Sequence, residues 1–146
     1  MDPHAIFENY KRILTQHYFD MSGRVGRAEF WYFVLANFIA FLAAKIAGTI
    51  LHMPLETLYN LAVLLPATSL GARRLQDIGR NGQLVWVLFF LMALTLLPML
   101  WLIWVASILM ALLLIYFWCQ VGDPGDNMYG PPPPVFDPRR PVAPPA

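Results

Sequence analysis

Two short segments rich in arginine and glycine carry the side chains that are most capable of chemistry. They are residues 23–31 and 71–82, and they hold five arginines and two carboxylates: Arg24, Arg27, Glu29, Arg73, Arg74, Asp77 and Arg80. The planar guanidinium group binds a carboxylate or a phosphate through two parallel hydrogen bonds and is weakly hydrated. These residue types therefore predict either a layer of ion pairs or a site for an anion.

The two interpretations of this arginine–carboxylate layer differ in how much positive charge is neutralised. In the first, each acid pairs with an arginine of the other segment and locks two helix ends together: Asp77 with Arg24 or Arg27, and Glu29 with Arg73 or Arg74. In the second, the five arginines exceed the two acids by three, and this surplus holds a lipid phosphate or another anion. Anionic headgroups attract each such charge by about 1 kcal/mol without a dedicated pocket. We therefore favour ion pairs or generic lipid binding over a dedicated anion site.

Lys45 is a second candidate, because it lies inside a long apolar stretch. An ionisable side chain within a membrane span is a functional candidate by default. It either extends toward the outer membrane surface or pairs with Glu56 across a helical hairpin, and we favour these structural interpretations. The alternative is a proton or ion path through Lys45, Glu56 and Asn60.

The sequence contains no arrangement of residues typical of a catalytic or metal site. His4, His17 and His52 are dispersed without ligand spacing, and the motifs of nucleophilic, phosphate-binding and zinc enzymes are missing. Cys119 is the one cysteine, so no intrachain disulfide forms, and we expect it to act as a small apolar residue. We therefore expect no enzymatic activity, no cofactor and no metal.

The elements that position these residues are predicted to be membrane-spanning helices. The chain has 146 residues, of which 58% are hydrophobic and 13% charged, whereas soluble domains carry roughly a quarter charged residues. We predict an all-α membrane protein with about four transmembrane helices in two hairpins: residues 30–51, 55–72, 84–97 and 99–119. A leader over residues 1–22 precedes this polytopic domain, which extends over residues 23–130.

The leader is predicted to form an amphipathic helix. Apolar residues recur at steps of three and four from Ile6 to Tyr18, with polar residues between them. Such a helix is too polar to span a membrane and suits the interface. Packing against the protein's own spans is an equal alternative.

Two prolines shape the predicted spans. Pro66 is expected to kink the second span and to free the carbonyl one turn earlier, which then needs another donor. Pro98 divides residues 84–119, a stretch of 36 residues without a charge. As one helix this stretch would extend roughly 54 Å across a hydrocarbon core of roughly 30 Å. We therefore predict a hairpin that turns near residues 96–99, with a single kinked span as the alternative.

The basic residues predict the orientation in the membrane. Lysine and arginine cluster between residues 11 and 27 and between residues 73 and 80, whereas the connection at residues 52–54 and the predicted turn at Pro98 have neither. Because basic loops stay in the cytoplasm, four spans place both termini there. Beyond the spans, residues 131–146 are predicted to form a proline-rich, disordered tail. We favour a solvated tail over a ligand for a proline-recognising partner.

Three ordered motifs carry a family resemblance. The pattern G-R-x-x-R-x-E-[FY]-W is matched by Gly23, Arg24, Arg27, Glu29, Phe30 and Trp31. The pattern A-R-R-L-x-D-x-G-R-x-G is matched by Ala72, Arg73, Arg74, Leu75, Asp77, Gly79, Arg80 and Gly82. The pattern G-x-P-G-x-N-x-Y-G-P is matched by Gly122, Pro124, Gly125, Asn127, Tyr129, Gly130 and Pro131.

Through these motifs the chain, over about residues 1–134, resembles the domain of unknown function 805 family of YhaH-like bacterial inner-membrane proteins. It departs from the family at Gln76, where histidine is common, and at Gln83, where tryptophan is common. The resemblance implies a small polytopic protein of the bacterial cytoplasmic membrane without an established biochemical activity. It also implies that residues 127–131 belong to the folded domain and return to its cytoplasmic face.

The sequence thus predicts a non-enzymatic component of the cytoplasmic membrane. Its arginine–carboxylate layer is expected to bind anionic lipid or a protein partner, which includes a second copy of the chain, and not nucleic acid. The alternative is a small transporter or channel that uses Lys45 and the kinked second span. An enzyme acting on lipid headgroups has neither a nucleophile nor a metal site to support it.

Overall fold

The computed structural model describes residues 3–94 and 101–137. Within this part the chain forms five α-helices and no strand: α1 Pro3–Gln16, α2 Arg27–Leu51, α3 Leu55–Asp77, α4 Leu84–Leu94 and α5 Trp101–Cys119. The all-α prediction is therefore confirmed for the described residues. Two boundaries differ from the predicted spans, because α2 begins at Arg27 rather than at residue 30 and α3 ends at Asp77 rather than at residue 72. The turn predicted near residues 96–99 lies outside the described residues.

One helix of the described part, α2, is both long enough and apolar enough to cross a membrane. It has 25 residues, and its apolar side chains are largely exposed. Within α5, the shorter apolar stretch Trp104–Cys119 exposes a similar surface. Such extended apolar surfaces are rare on soluble monomers. Length and composition thus support a membrane location, whereas the number of four spans stays a prediction.

Contacts divide the chain into two compact units that interleave along the sequence. The described residues of the first unit are 3–20, 28–70 and 134–137, and those of the second are 21–27, 71–94 and 101–133. The predicted leader, membrane domain and tail are defined by their expected positions in the membrane, whereas these two units are defined by contacts between residues.

In the first unit, α1 packs against the protein's own helices. Ala5, Asn9 and Ile13 are buried at a spacing of four residues, as expected for one face of a helix. The ring of Tyr10 stacks on Phe33 of α2 at 5.2 Å between ring centroids. Of the two positions left open by the sequence, the contacts of α1 match packing against the protein.

The carbonyl that Pro66 leaves without a helical partner accepts a hydrogen bond from Tyr18. Pro66 is buried inside α3, and a proline at this place leaves the carbonyl of Ala62, one turn earlier, without its helical N–H. The hydroxyl of Tyr18 donates to that carbonyl at 2.7 Å. Tyr18, which follows α1, therefore supplies the donor that the Ala62 carbonyl of α3 needs. Neither a water molecule nor another helix is required for this carbonyl.

In the second unit, α4 and α5 pack against each other as an antiparallel pair. Val85, near the start of α4, and Leu114, near the end of α5, belong to one buried apolar cluster with Ala72 and Leu75 of α3. Since the start of one helix meets the end of the next, the two helices run in opposite directions. The connection between α4 and α5 lies outside the described residues, so the predicted hairpin stays a prediction.

The end of α3 has a well-defined cap. Gly79 has φ of +69°, and Arg80 N–H donates to the carbonyl of Leu75 at 2.9 Å, while Gly79 N–H donates to that of Gln76 at 3.1 Å. These two bonds form a Schellman motif, in which glycine supplies the left-handed conformation. The cap stops α3 directly after Asp77 and turns the chain toward α4.

Candidate functional site

The centre of the second unit is a buried triad of Arg24, Arg74 and Asp77. Arg24 Nε donates to Asp77 Oδ1 at 3.0 Å, and Arg74 Nη1 donates to Asp77 Oδ2. The side chains of Arg24, Arg74 and Asp77 are 1%, 0% and 4% exposed. The pairing of Arg24 with Asp77 is one of those that the sequence suggested. The second guanidinium on the same carboxylate was not anticipated.

Backbone carbonyls occupy the remaining donors of both arginines. Arg24 donates to the carbonyls of Gly125 at 2.7 Å, of Gly130 at 3.2 Å and of Asp123. Arg74 donates to the carbonyls of Trp118 at 3.1 Å and of Gln120. A buried charge is costly unless it is paired and hydrogen-bonded, and these carbonyls provide that partnership.

The triad carries two positive charges and one negative charge, and helix ends offset the difference. Asp77 closes α3 and Trp118 lies in the last turn of α5, so the partly negative carboxyl ends of both helices face the arginines. The arrangement supports a structural role for Arg24 and Arg74 and leaves no accessible donor on either for a ligand.

The segment after α5 is held against the end of α3. Asp123 N–H donates to the carbonyl of Asp77 at 2.8 Å, and Asn127 Nδ2 donates to that of Gln76 at 2.9 Å. Gly122 approaches so closely that a Cβ at this position would lie 2.0 Å from Asp77 Oδ2. Asn127 and Gly130 also form an isolated antiparallel bridge. Four residues of the third sequence motif, Gly122, Gly125, Asn127 and Gly130, therefore contact the triad or the end of α3.

The other arginines of the layer have different surroundings. Arg27 is exposed, and its Nη1 lies 3.4 Å from the carbonyl of Cys119 at the end of α5. Arg80 is exposed, and its Cζ lies 5.2 Å from the ring centroid of Phe117. Arg73 is half-buried, and its carbonyl accepts a hydrogen bond from Val25 N–H at 3.3 Å. Arg27 and Arg80 are therefore accessible cations close to the last turn of α5.

Glu29, in the first unit, pairs with a residue that the sequence did not single out. Arg12 Nη2 lies 2.5 Å from Glu29 Oε1 and also donates to Asn9 Oδ1 at 3.1 Å. The sequence offered Arg73 or Arg74 as the partner of Glu29, and Arg74 is engaged instead with Asp77 and with the carbonyls of Trp118 and Gln120. Arg12 lies in the amphipathic helix α1, three residues after Asn9. This spacing places the two side chains on one face of the helix and was the sequence feature that could have indicated their contact.

Within residues 3–94 and 101–137, no ion pair or hydrogen bond joins Lys45, Glu56 and Asn60 to one another. Lys45 and Asn60 are exposed, Glu56 is half-buried, and no ion pair or hydrogen bond joins Lys45 to Glu56 in this part. The polar network of the first unit uses other residues. Tyr59 OH lies 2.7 Å from Tyr10 OH and donates to Asn37 Oδ1 at 2.6 Å, so it links α1, α2 and α3.

The described residues also hold no group of three or more histidine, cysteine, aspartate or glutamate side chains that could bind a metal ion.

The family model described as "Protein of unknown function (DUF805)" matches residues 18–131. The chain belongs to the DUF805 family. The match includes the triad and the segment that covers it, whereas Arg12 and Asn9 precede it.

Two relatives from Escherichia coli (strain K12) are named inner membrane proteins. Inner membrane protein YhaI is 34% identical over 121 residues, which cover 80% of this chain and 88% of YhaI. Inner membrane protein YhaH is 33% identical over 132 residues, which cover 85% of this chain and 94% of YhaH. An uncharacterized protein of the same strain, YiiR, is 28% identical over 130 residues. No solved structure matches the chain. The names of YhaI and YhaH support a location in the bacterial inner membrane.

Proposed function

We propose that this DUF805 protein is a multi-pass, non-enzymatic component of the inner membrane that binds anionic lipid headgroups through Arg27 and Arg80. The observation that supports this proposal is the unequal use of the arginines. Arg24 and Arg74 are consumed by Asp77 and by backbone carbonyls, while Arg27 and Arg80 are exposed near the end of α5. The positive charge that is accessible to a lipid therefore includes that of Arg27 and Arg80.

The position of these two arginines suits a lipid phosphate. Both lie beside the last turn of an apolar helix whose exposed surface is favourable in lipid. In the proposed topology α2–α5 span the membrane, and the end of α5 reaches the cytoplasmic surface together with both termini. Anionic lipids of that leaflet attract each nearby arginine by about 1 kcal/mol.

A lipid-binding measurement with a charge-matched control tests this proposal. The full-length protein and two double variants, R27Q/R80Q and R139Q/R140Q, are compared by native mass spectrometry after addition of phosphatidylglycerol. Each variant loses two positive charges, but the control pair lies in the proline-rich tail. We expect R27Q/R80Q to weaken binding by about 30-fold, since two contacts contribute about 2 kcal/mol. Equal weakening in both variants would mean that the attraction is generic and would reject the assigned pair.

The proposed topology has a direct test, because Cys119 is the one cysteine in the sequence and is exposed. A membrane-impermeant maleimide is expected to label Cys119 in inverted inner-membrane vesicles and not in intact spheroplasts. Labelling in spheroplasts would place the end of α5 outside and overturn the four-span topology.

The alternative of a small transporter or channel has no contact among the described residues in its favour. Lys45 is exposed and is not joined to Glu56 there. A proton or ion flux in liposomes that K45L abolishes would favour transport over lipid binding.

A further inference from the structure

Lys45 is an exposed cation inside α2, the helix that is long and apolar enough to cross a membrane. The midpoint of α2 is Ile39, so the backbone of Lys45 lies about 9 Å beyond that midpoint along the helix axis. Half of a hydrocarbon core measures roughly 15 Å, and an α2 that is centred in the bilayer therefore places Lys45 within it. A lysine at this depth is costly unless a group of opposite charge compensates it.

A carboxylate lies close to Lys45 along the chain, on the next helix. Glu56 is in the first turn of α3. Lys45 and Glu56 both lie within two turns of the connection at residues 52–54. In the proposed topology this connection is at one membrane surface, so every copy of the chain carries one cation and one carboxylate near that surface. Within residues 3–94 and 101–137, no ion pair joins Lys45 to Glu56.

The residues around these two groups have the spacing of a contact between helices. On α2, exposed residues recur at alternating steps of three and four: Leu35, Phe38, Leu42, Lys45 and Thr49. On α3, residues of one helix face follow at steps of four: Glu56, Asn60 and Leu64. Alternating steps of three and four are typical of helices that pack at about 20° in a bundle. These two rows of residues are here called the Lys45 face.

We propose that the Lys45 face binds a second copy of the chain. Copies in one membrane share one orientation, so a twofold axis that relates two of them runs along the membrane normal. Such an axis keeps every residue at its depth and packs α2 of each copy against α3 of the other. Lys45 then contacts Glu56 of the second copy, and the symmetric contact repeats on the other side of the axis. Each interface therefore contains two ion pairs.

Charge complementarity makes the second copy, rather than a lipid, the occupant of the Lys45 face. A phosphate group compensates Lys45 but repels the carboxylate of Glu56, so an anionic headgroup matches only half of the charges. A face with one charge of each sign is complementary to its own rotated copy. Without this pairing, both charges stay uncompensated beside the hydrocarbon, which favours association.

This dimer does not depend on lipid binding at Arg27 and Arg80. Those arginines are not part of the Lys45 face, and R27Q/R80Q is expected to keep the dimer fraction of the parent. A failure of the lipid site and a failure of the dimer can therefore be told apart with the same set of variants.

The test measures the dimer fraction of the full-length protein in detergent micelles by native mass spectrometry. K45E places two acids on the face, and E56K places two bases on it. We expect each variant alone to weaken the dimer by at least about tenfold, corresponding to about 1.4 kcal/mol. The control K11E reverses the same charge at an exposed lysine of α1 and is expected to dimerise as the parent does.

Mixing the two variants distinguishes a pair between copies from a pair within one chain. Isotope-labelled K45E is combined with unlabelled E56K, so that a mixed dimer has an intermediate mass. In that dimer both contacts again join opposite charges, and we expect it to form as tightly as the parent dimer. A pair within one chain is not restored by mixing, because each variant still carries two like charges.

The proposal is overturned if the parent is monomeric at every protein-to-detergent ratio, if K11E weakens the dimer as much as K45E does, or if the mixture forms no mixed dimer. It is also overturned if K45E stays dimeric and loses bound phosphatidylglycerol instead, which would assign Lys45 to a lipid. If K45E fails to fold, K45M takes its place, because it removes the cation without adding an acid to the span. K45M is also expected to weaken the dimer, and an unchanged dimer fraction in K45M would contradict the proposed pair.

Discussion

The first unit joins Arg12 to Glu29 as one cation and one carboxylate, whereas the second places two arginines on the single carboxylate of Asp77. The Arg12 and Glu29 side chains are 26% and 10% exposed, and all three side chains of the triad are below 5%. Glu29 lies in the first turn of α2, where the helix dipole favours a negative charge. Asp77 is the last residue of α3, where the dipole opposes one.

The position in the helix therefore explains the number of partners. The dipole at a helix N-terminus by itself stabilises a carboxylate, so Glu29 needs only the partly exposed Arg12 as a partner. A buried carboxylate at a helix C-terminus requires cations, and those cations require acceptors of their own. The backbone carbonyls of residues 118–130 supply them, which makes the segment after α5 part of the second unit.

The largest difference between the two regions is expected on removal of the Asp77 charge. D77N leaves Arg24 and Arg74 buried without a carboxylate, and breaking a buried pair in this way costs about 3–5 kcal/mol. Thermal unfolding in mild detergent is expected to shift strongly to lower temperature. The control D126N removes an exposed carboxylate of the same segment and should change little. Equal unfolding temperatures for D77N and the parent would contradict the structural role of the triad.

The close approach of the segment to the triad is tested by glycine substitution. A Cβ in G122A would lie 2.0 Å from Asp77 Oδ2, so either the segment or the carboxylate must move. We expect a loss of about 1–3 kcal/mol, as for an overpacked core. Gly125 is the matched control, since a Cβ there meets no atom within 4 Å. If G125A destabilises the protein as much as G122A, backbone freedom and not the contact with Asp77 is responsible.

In the first unit, the neutral bond from Tyr18 to Ala62 should matter less than the triad. Y18F removes the hydroxyl donor and is expected to cost about 1 kcal/mol. A double-mutant cycle with P66A isolates this bond. Residue 66 then regains an N–H for the Ala62 carbonyl, so the cost of Y18F should become smaller. An unchanged cost in the P66A background would show that Tyr18 acts through packing.

The smallest effect is expected for the pair of Arg12 and Glu29. E29Q removes the charge that faces Arg12 and its favourable interaction with the dipole of α2, and the partial exposure of Arg12 limits the loss to about 0.5–1 kcal/mol. E8Q, at an exposed position of α1, is the control. The contrast between the two regions fails if E29Q destabilises the protein as much as D77N does, measured under the same detergent conditions.

Much of the helical architecture could be read from composition and proline positions. The long apolar stretches predicted α2 and α5, and Pro66 predicted both a kink and a carbonyl in need of a donor. The opposite charges of Arg24 and Asp77 also made their pairing one of the predicted ones. The partner of Glu29 is not evident from the sequence, because Arg12 lies on the polar face of the leader helix, where a basic residue needs no buried partner. The donor for Ala62 was missed because a hydroxyl has no charge to mark it.

The sequence by itself determined that this chain is helical, apolar and a member of the DUF805 family, since hydropathy and motif residues are properties of residue type. Only the tertiary structure decided which arginines are accessible. That outcome depends on backbone carbonyls at residues 118–130, and every residue has a carbonyl, so no pattern of side chains identifies the ones that Arg24 and Arg74 will use. The cost of burying a guanidinium without acceptors then selects the fold in which these carbonyls surround the triad and leave Arg27 and Arg80 exposed.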